Sequence, residues 1–331
     1  MAVTIADIQK LRKLTGAGLV DCKKALIEAE NDLDKAIELI RKRGQAIAAK
    51  REDRSAAEGV AFAKTENGFG AIVALKCETD FVASNEKFVA LANKILDAAV
   101  AGKVKTLDNL KEFEVEGKKV PELITELSGI TGEKMELGAY ESLEAPYVAS
   151  YNHFNKKLAT LVGFNKADVD AQVGKNVAMQ VASMNPIAAT REQIPQATID
   201  EERKLAVEKT KTEQVKKAVE NALKKAGFNL YIAESEEHLN EGIMKGSITE
   251  AQAQEIRDLK AKVAAEKEAN LPQQMIENIA NGRMNKFFQE NVLMEQIYEA
   301  DDSKNTVAQY LAKADKDLKA IDLKRINLNA D

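Results

Sequence analysis

The chain has 331 residues, of which 45% are hydrophobic and 31% charged, with two cysteines, two histidines and a formal net charge of −5. This composition suits a folded protein of about two domains and excludes a disordered chain and one whose main task is gripping nucleic-acid phosphates. No apolar tract is long enough to span a bilayer, Cys22 and Cys77 give no disulfide framework, and so few ligands lead us to expect no zinc site.

Taken in chain order, the opening MAVTIADIQKLRKLTG lacks the apolar centre of a signal peptide, and Asp7 is out of place in a transit peptide. A cytoplasmic protein is therefore expected. Ile5, Ile8, Leu11 and Leu14 recur at helical spacing until TGAG ends the run. Asp21 is a candidate cap for a second helix with Ala25 and Leu26 facing inward. Leu33, Ala36, Ile37 and Ile40 then supply a third stripe. A core this small is expected to lean on a partner. The stretch RKRGQAIAAKREDR, residues 41–54, carries six basic and two acidic residues. It reads either as a solvated linker or helix extension, or as a contact for RNA or an acidic protein, and the first weighs more because charge runs are common on surfaces.

GVAFAKT and FGAIVALKC are strand-like and meet through Glu66-Asn67-Gly68, a hairpin signal. Phe88, Leu91, Ala92, Ile95, Leu96, Ala99 and Val100 predict an amphipathic helix on that sheet. Residues 105–140 read as mixed helix and loop. A second strand pair, PYVASYNH and LATLVGFN, precedes a helix around Val173–Met184 that stops before Asn185-Pro186. The repeated hairpin-then-helix order predicts an α+β core of two related halves. Further on, Val215, Ala218, Val219, Ala222 and Leu223, and then Ile256, Leu259 and Val263, form narrow stripes suited to an antiparallel helical hairpin. The intervening FNLYIAESEEHLNEGIMKGSIT has no clear period.

Nothing in the chain points to enzyme chemistry or a cofactor. There is no Walker loop, HExxH, EF-hand loop or GxSxG elbow, and Gly68-Phe69-Gly70 lies in a hairpin and does not open a helix. The unusual segment is CETDFVASNEKF, residues 77–88, which carries Phe81 and Val82 in a connection, where polar residues are the rule. Phe81 lies one heptad before Phe88, so the residues alone favour a buried extension of the stripe. Against this, Ser84 and Asn85 are helix-capping types. A cap there leaves Asp80-Phe81-Val82 on an anchored bend, with the aromatic offered to a partner.

LRKLTGAGLVDCKKAL (residues 11–26) and TDFV (79–82) strongly resemble the bacterial translation elongation factor Ts family. SYNH (150–153), LVG (161–163), GRMNKFF (282–288) and DSKNTV (302–307) continue the match in the family's order. The resemblance implies a guanine-nucleotide exchange factor for the GTPase elongation factor Tu, with no direct nucleic-acid or membrane partner. It also implies a three-helix ubiquitin-associated-type domain over residues 1–43, with a basic linker at 44–55. A core N subdomain would span 56–140 and a core C subdomain 141–195 plus 276–312. A protruding helical hairpin would occupy 196–275, and 313–331 a C-terminal segment.

In such a factor Phe81 would be a wedge that dislodges magnesium from the GTPase, positioned by Asp80, with Thr79 and Val82 completing the segment. Gly18, Leu19 and Val20, with Lys23 beside them, match a second contact, although Leu19 and Val20 read equally well as core of the small domain. Gly132 falls in the family's Gly-Glu block, and His153 matches a histidine of the core's binding surface. Phe154-Asn155-Lys156-Lys157 departs from the glycine-rich turn usual after that histidine, Thr131 stands where an aliphatic is common, and residues 227–249 read as an insertion. The reading from a different class is an adaptor that docks helical or ubiquitin-like partners through the N-terminal helices. A third is an RNA-associated protein using residues 41–54.

Overall fold

The computed structural model describes residues 3–329. It divides into two compact units, one of Met1–Thr190 with Asn291–Asp331 and one of Arg191–Glu290.

The first unit opens with α1 (Ile5–Thr15), α2 (Leu19–Glu28) and α3 (Leu33–Ala49). Thr4 and Asp7 form a reciprocal capping box on α1, and Gly16 ends that helix at φ +73°, a conformation that favours glycine. Asp32 caps α3 through the backbone N–H groups of Asp34 and Lys35. The small core gathers Leu11, Cys22, Ala25, Leu26 and Ala36. Three expectations need correction. Ile5 and Leu14 are exposed, because α1 turns only the Leu11 side fully inward. Asp21 lies within the first turn of α2, whose cap is Gly18. The third helix runs past residue 43 to Ala49, into the stretch expected to be linker.

That extension has a physical cause. Gly44 is buried against α7 (Val120–Thr131), where a Cβ added to Gly129 would lie 2.3 Å from the Gly44 Cα. Two backbones meet there, so neither side can yield by moving a flexible side chain. Gly129→Ala is expected to cost about 1–3 kcal/mol through overpacking. Faster amide exchange along Arg41–Ala49 and a lower Tm would register it.

Next come β1 (Glu58–Glu66) and β2 (Phe69–Cys77), joined at Asn67 (φ +48°) and Gly68 (φ +74°), the left-handed pair that a two-residue hairpin turn demands. The one-turn helix α4 (Asp80–Ala83) leads into α5 (Glu86–Ala101), α6 (Leu107–Glu112) and a ribbon of β3 (Glu114–Val115) and β4 (Lys118–Lys119). After α7, β5 (Met135–Glu144) pairs with β2, giving an antiparallel sheet in the order β1-β2-β5. The segment expected as helix and loop therefore supplies a third strand. A second hairpin, β6 (Tyr147–Asn152) and β7 (Leu158–Phe164), precedes α8 (Ala171–Met184).

The two sheets lie face to face, with helices outside. Phe69, Val73, Leu75 and Cys77 of β2 face α5, whose Phe88, Ala92, Ile95, Leu96, Ala99 and Val100 are all buried. Ile72 and Ala74, pointing the other way, meet Val148 and Leu161 of the second sheet. Gly70 permits that approach, since a Cβ there would come within 2.9 Å of Leu161 and Val148 side chains. On the outer face of the second sheet, Val162 and Phe164 pack with Val177 and Val181 of α8. The protein is thus α+β.

The second unit is helical: α9 (Gln196–Lys225), α10 (Leu230–Glu234), α11 (Glu236–Met244), α12 (Glu250–Ala269) and α13 (Gln273–Asn291). At about 1.5 Å per residue, α9 is roughly 45 Å long. Leu223 near its end clusters with Ala253 and Ile256 near the start of α12, so the two run antiparallel. Ala233 and Leu239 close that cluster. The aperiodic stretch between the stripes is therefore a pair of short helices sealing the end of the hairpin, capped by Asn229 and Ser235. Arg283 ties α13 to α9 by donating to Thr210 Oγ1 (3.2 Å) and Glu213 (2.6 Å).

Back in the first unit, α14 (Val307–Ala314) leads to β8 (Ala320–Asn327), which pairs along β7 and makes the second sheet β6-β7-β8. Within the C-terminal segment, whose role the sequence left open, β8 is built into the core. Among the described residues no helix is long and apolar enough to cross a membrane.

Candidate partner-binding surface

Phe81 sits in α4, between two capped helix starts. Thr79 caps α4 and Asn85 caps α5, so the aromatic lies outside the long helix on a single separate turn. Ala83 is buried and Val82 packs against the core, which leaves the Phe81 ring 84% exposed. Leaving a phenylalanine in water forgoes about 1.5–3 kcal/mol of burial. The buried-stripe reading fails, because the Asn85 cap breaks the period one turn before Phe88.

The turn is held by a crossed pair of carboxylates. Glu133 accepts the Thr79 hydroxyl (2.6 Å) and backbone N–H (3.1 Å) on its two oxygens. In return, Glu78 accepts the Lys134 N–H (2.7 Å) on one oxygen and the Arg54 guanidinium (3.0 Å) on the other. Gly132, at φ +76°, ends α7 and turns the chain so that residues 133 and 134 face this site. Ser128 donates to the Glu133 carbonyl at 2.6 Å. The Thr79 hydroxyl also accepts the Val82 N–H at 3.4 Å. Asp80, in the first turn of α4, is exposed.

Below the turn, the buried Cys77 thiol donates to the Thr79 carbonyl at 3.2 Å. Burial pushes its pKa from 9.0 up to about 12, and the Glu133 carboxylate adds to the shift. The folded value lies above the unfolded one, so this stabilisation is whole below about pH 9 and is lost as pH rises towards 12. Urea melts at stepped pH are expected to lose up to about 1.4 kcal/mol per unit across that window, and Cys77→Ala to lose less.

Leu19 and Val20 are 50% and 64% exposed, with Gly18 and Lys23 also in solvent, so they are not the core of the small domain. Their helix begins beside Gly16, where an added Cβ would meet Lys87 of α5 and Ile130 of α7. This turn therefore lies close to the start of α5, which follows Phe81.

His153 is half-buried in the turn between β6 and β7. Its Nδ1 lies 2.9 Å from the Tyr151 hydroxyl, and its backbone N–H donates to the Leu158 carbonyl. The same turn is fixed to β1: Ala61 N–H donates to the Lys156 carbonyl at 2.7 Å, and Lys157 pairs with Glu58 at 2.6 Å. Glu58 is the register partner of Cys77, so this turn and the Phe81 turn share one end of the first sheet. The Gly18 turn thus lies near the helix that follows Phe81, and the His153 turn is tied to the strand paired with the one that precedes it.

The basic run starts as an extension of α3, one of the readings the sequence offered. Lys42 pairs with Glu38, Arg43 with Glu28, and Arg51 and Arg54 with Glu78. Four of its six basic residues are thus paired within the molecule, and Arg54 steadies the Phe81 turn. Among the described residues no group of three or more His, Cys, Asp or Glu side chains is placed to hold a metal ion. Sequence reasoning missed Glu78 and Glu133; the Gly-Glu pair at 132–133 was the one available signal.

A family model described as Elongation factor TS matches residues 78–330. The chain is 52% identical to the elongation factor Ts of Bacteroides fragilis and to that of Bacteroides thetaiotaomicron, over the whole of each chain. It is 41% identical to that of Porphyromonas gingivalis, again over both full lengths. The chain belongs to the elongation factor Ts family. The matched range of the elongation factor Ts model opens at Glu78, on the carboxylate clamp itself, and takes in Phe81, Glu133 and His153. The turn at Gly18–Val20 precedes that range and is covered by the full-length elongation factor Ts relatives.

Proposed function

We propose that the chain is the nucleotide exchange factor of a bacterial cytoplasm, acting on the GTPase elongation factor Tu. The observation that carries this reading is the Phe81 ring, 84% exposed on a turn clamped through Thr79 and Glu133. Exchange requires no bond chemistry. A factor that binds the nucleotide-free GTPase more tightly than the GDP-bound form must weaken GDP binding by the same factor. Each tenfold of that difference corresponds to about 1.4 kcal/mol.

Phe81 supplies such a difference if its ring finds a pocket only where the magnesium and nucleotide site has opened. Its burial contributes about 1.5–3 kcal/mol in that state and nothing in the other. The clamp matters because a wedge on a loose loop would lose ordering entropy on insertion. Asp80 orients the turn, Thr79 and Val82 anchor it, and Gly18, Leu19, Val20 and Lys23 make a second contact that contributes to both states. Gly132 acts through Glu133, and His153 lies on the flanking turn.

The test is release of a fluorescent GDP analogue from elongation factor Tu on mixing with the full chain. Strong acceleration is expected. No acceleration by the folded chain would overturn the proposal and leave the adaptor built on the N-terminal helices.

A further inference from the structure

A second aromatic is offered to solvent as openly as the first. Phe154 is 86% exposed, in the short turn between β6 and β7. It contributes little to the fold from that position, yet its placement is not loose. Its ring lies 4.4 Å from the His153 ring, whose centroid is in turn 5.9 Å from that of Tyr151. The Tyr151 hydroxyl and His153 Nδ1, 2.9 Å apart, fix the middle of this ladder. Lys156 closes the turn at φ +60° by donating to the His153 carbonyl at 2.9 Å.

The turn is also tied to the strand end that bears Phe81. Lys157 pairs with Glu58 at 2.6 Å, Glu58 lies opposite Cys77 in the ladder, and Phe81 follows four residues after Cys77. Two rings, each more than four-fifths exposed, are thus held at one end of the same sheet by separate hydrogen-bonded supports. Aromatics placed in this way act as interface anchors, since their rigid rings lose little freedom on burial.

We propose that Phe154 is a second anchor on the surface that meets the GTPase. Continuity with the Phe81 turn points to that occupant, and the inference rests on the exchange reading. The two rings have different tasks. Phe154, in a turn remote in sequence from the wedge, holds the partner before and after the nucleotide leaves. Phe81 acts on the opened state.

The experiment titrates the chain against GDP-loaded elongation factor Tu, reading the exchange plateau and half-saturating concentration, with calorimetry on the nucleotide-free GTPase beside it. Phe154→Ala is expected to raise the half-saturating concentration about five- to thirtyfold, more than it lowers the plateau, at unchanged Tm. Phe154→Trp is expected to restore most of the loss. Phe81→Ala should show the opposite split. A parent that binds and exchanges while Phe154→Ala matches it within twofold overturns this inference alone. So does a variant that changes only the mass of the chain in solution, which would assign the ring to a contact between copies. A parent that neither binds nor exchanges overturns the exchange reading and this inference with it.

Discussion

Phe81→Ala is expected to lower the maximal rate of GDP release by roughly 30- to 150-fold, since truncating a central aromatic anchor costs about 2–3 kcal/mol. The variant should fold as well as the parent. The ring is 84% exposed, so its removal leaves no cavity, and Thr79, Val82 and Ala83 keep their places. Thermal melting and stopped-flow release on the same preparations check both halves. A drop in rate accompanied by a drop in Tm would mean that the ring supports the fold.

Glu133→Ala, which keeps the Phe81 side chain but loosens its turn, is expected to reduce the maximal rate about tenfold. The carboxylate holds both the hydroxyl and the N–H of Thr79. Hydrogen bonds to a charged group contribute about 1.5–3 kcal/mol, and the half-exposed site lowers that to roughly 1–2 kcal/mol of stability. Glu133→Gln, which keeps one acceptor oxygen, should fall between the parent and the alanine variant. The discriminating readout is the double variant with Phe81→Ala. Glu133 acts through the placement of the ring, so its loss should add little once the ring is gone, and the two effects should be strongly non-additive. Simple additivity would assign Glu133 to general stability.

Much of the fold was legible because its elements are periodic. The α5 stripe from Phe88 to Val100 repeats without a miss, and Asn67-Gly68 specifies its hairpin turn. What escaped was non-local. The strand β5, MELGAYESLE, does not alternate cleanly, because its ladder with β2 shifts register between Ala74 and Leu75. Pairing of β8 with β7 joins Leu158 to Asn327, and no local pattern in IDLKRIN announces it. Gly44 reads as a breaker in isolation, yet it is the residue that lets α3 continue against Gly129. At the site, the aromatic was visible but its burial was ambiguous, since one heptad separates it from Phe88. The Asn85 cap decided the matter. The clamp was invisible, because Thr79 and Glu133 are 54 residues apart and a carboxylate on a polar surface is ordinarily solvated.

The central claim is that Phe81 distinguishes the two states of the GTPase and does more than bind it. The direct measurement is the affinity of the chain for GDP-bound and for nucleotide-free elongation factor Tu, with the parent and with Phe81→Ala. The account predicts that the ratio of the two affinities shrinks at least tenfold in the variant, about 1.4 kcal/mol or more of differential binding. Equal weakening of both affinities, with the ratio unchanged, would contradict it.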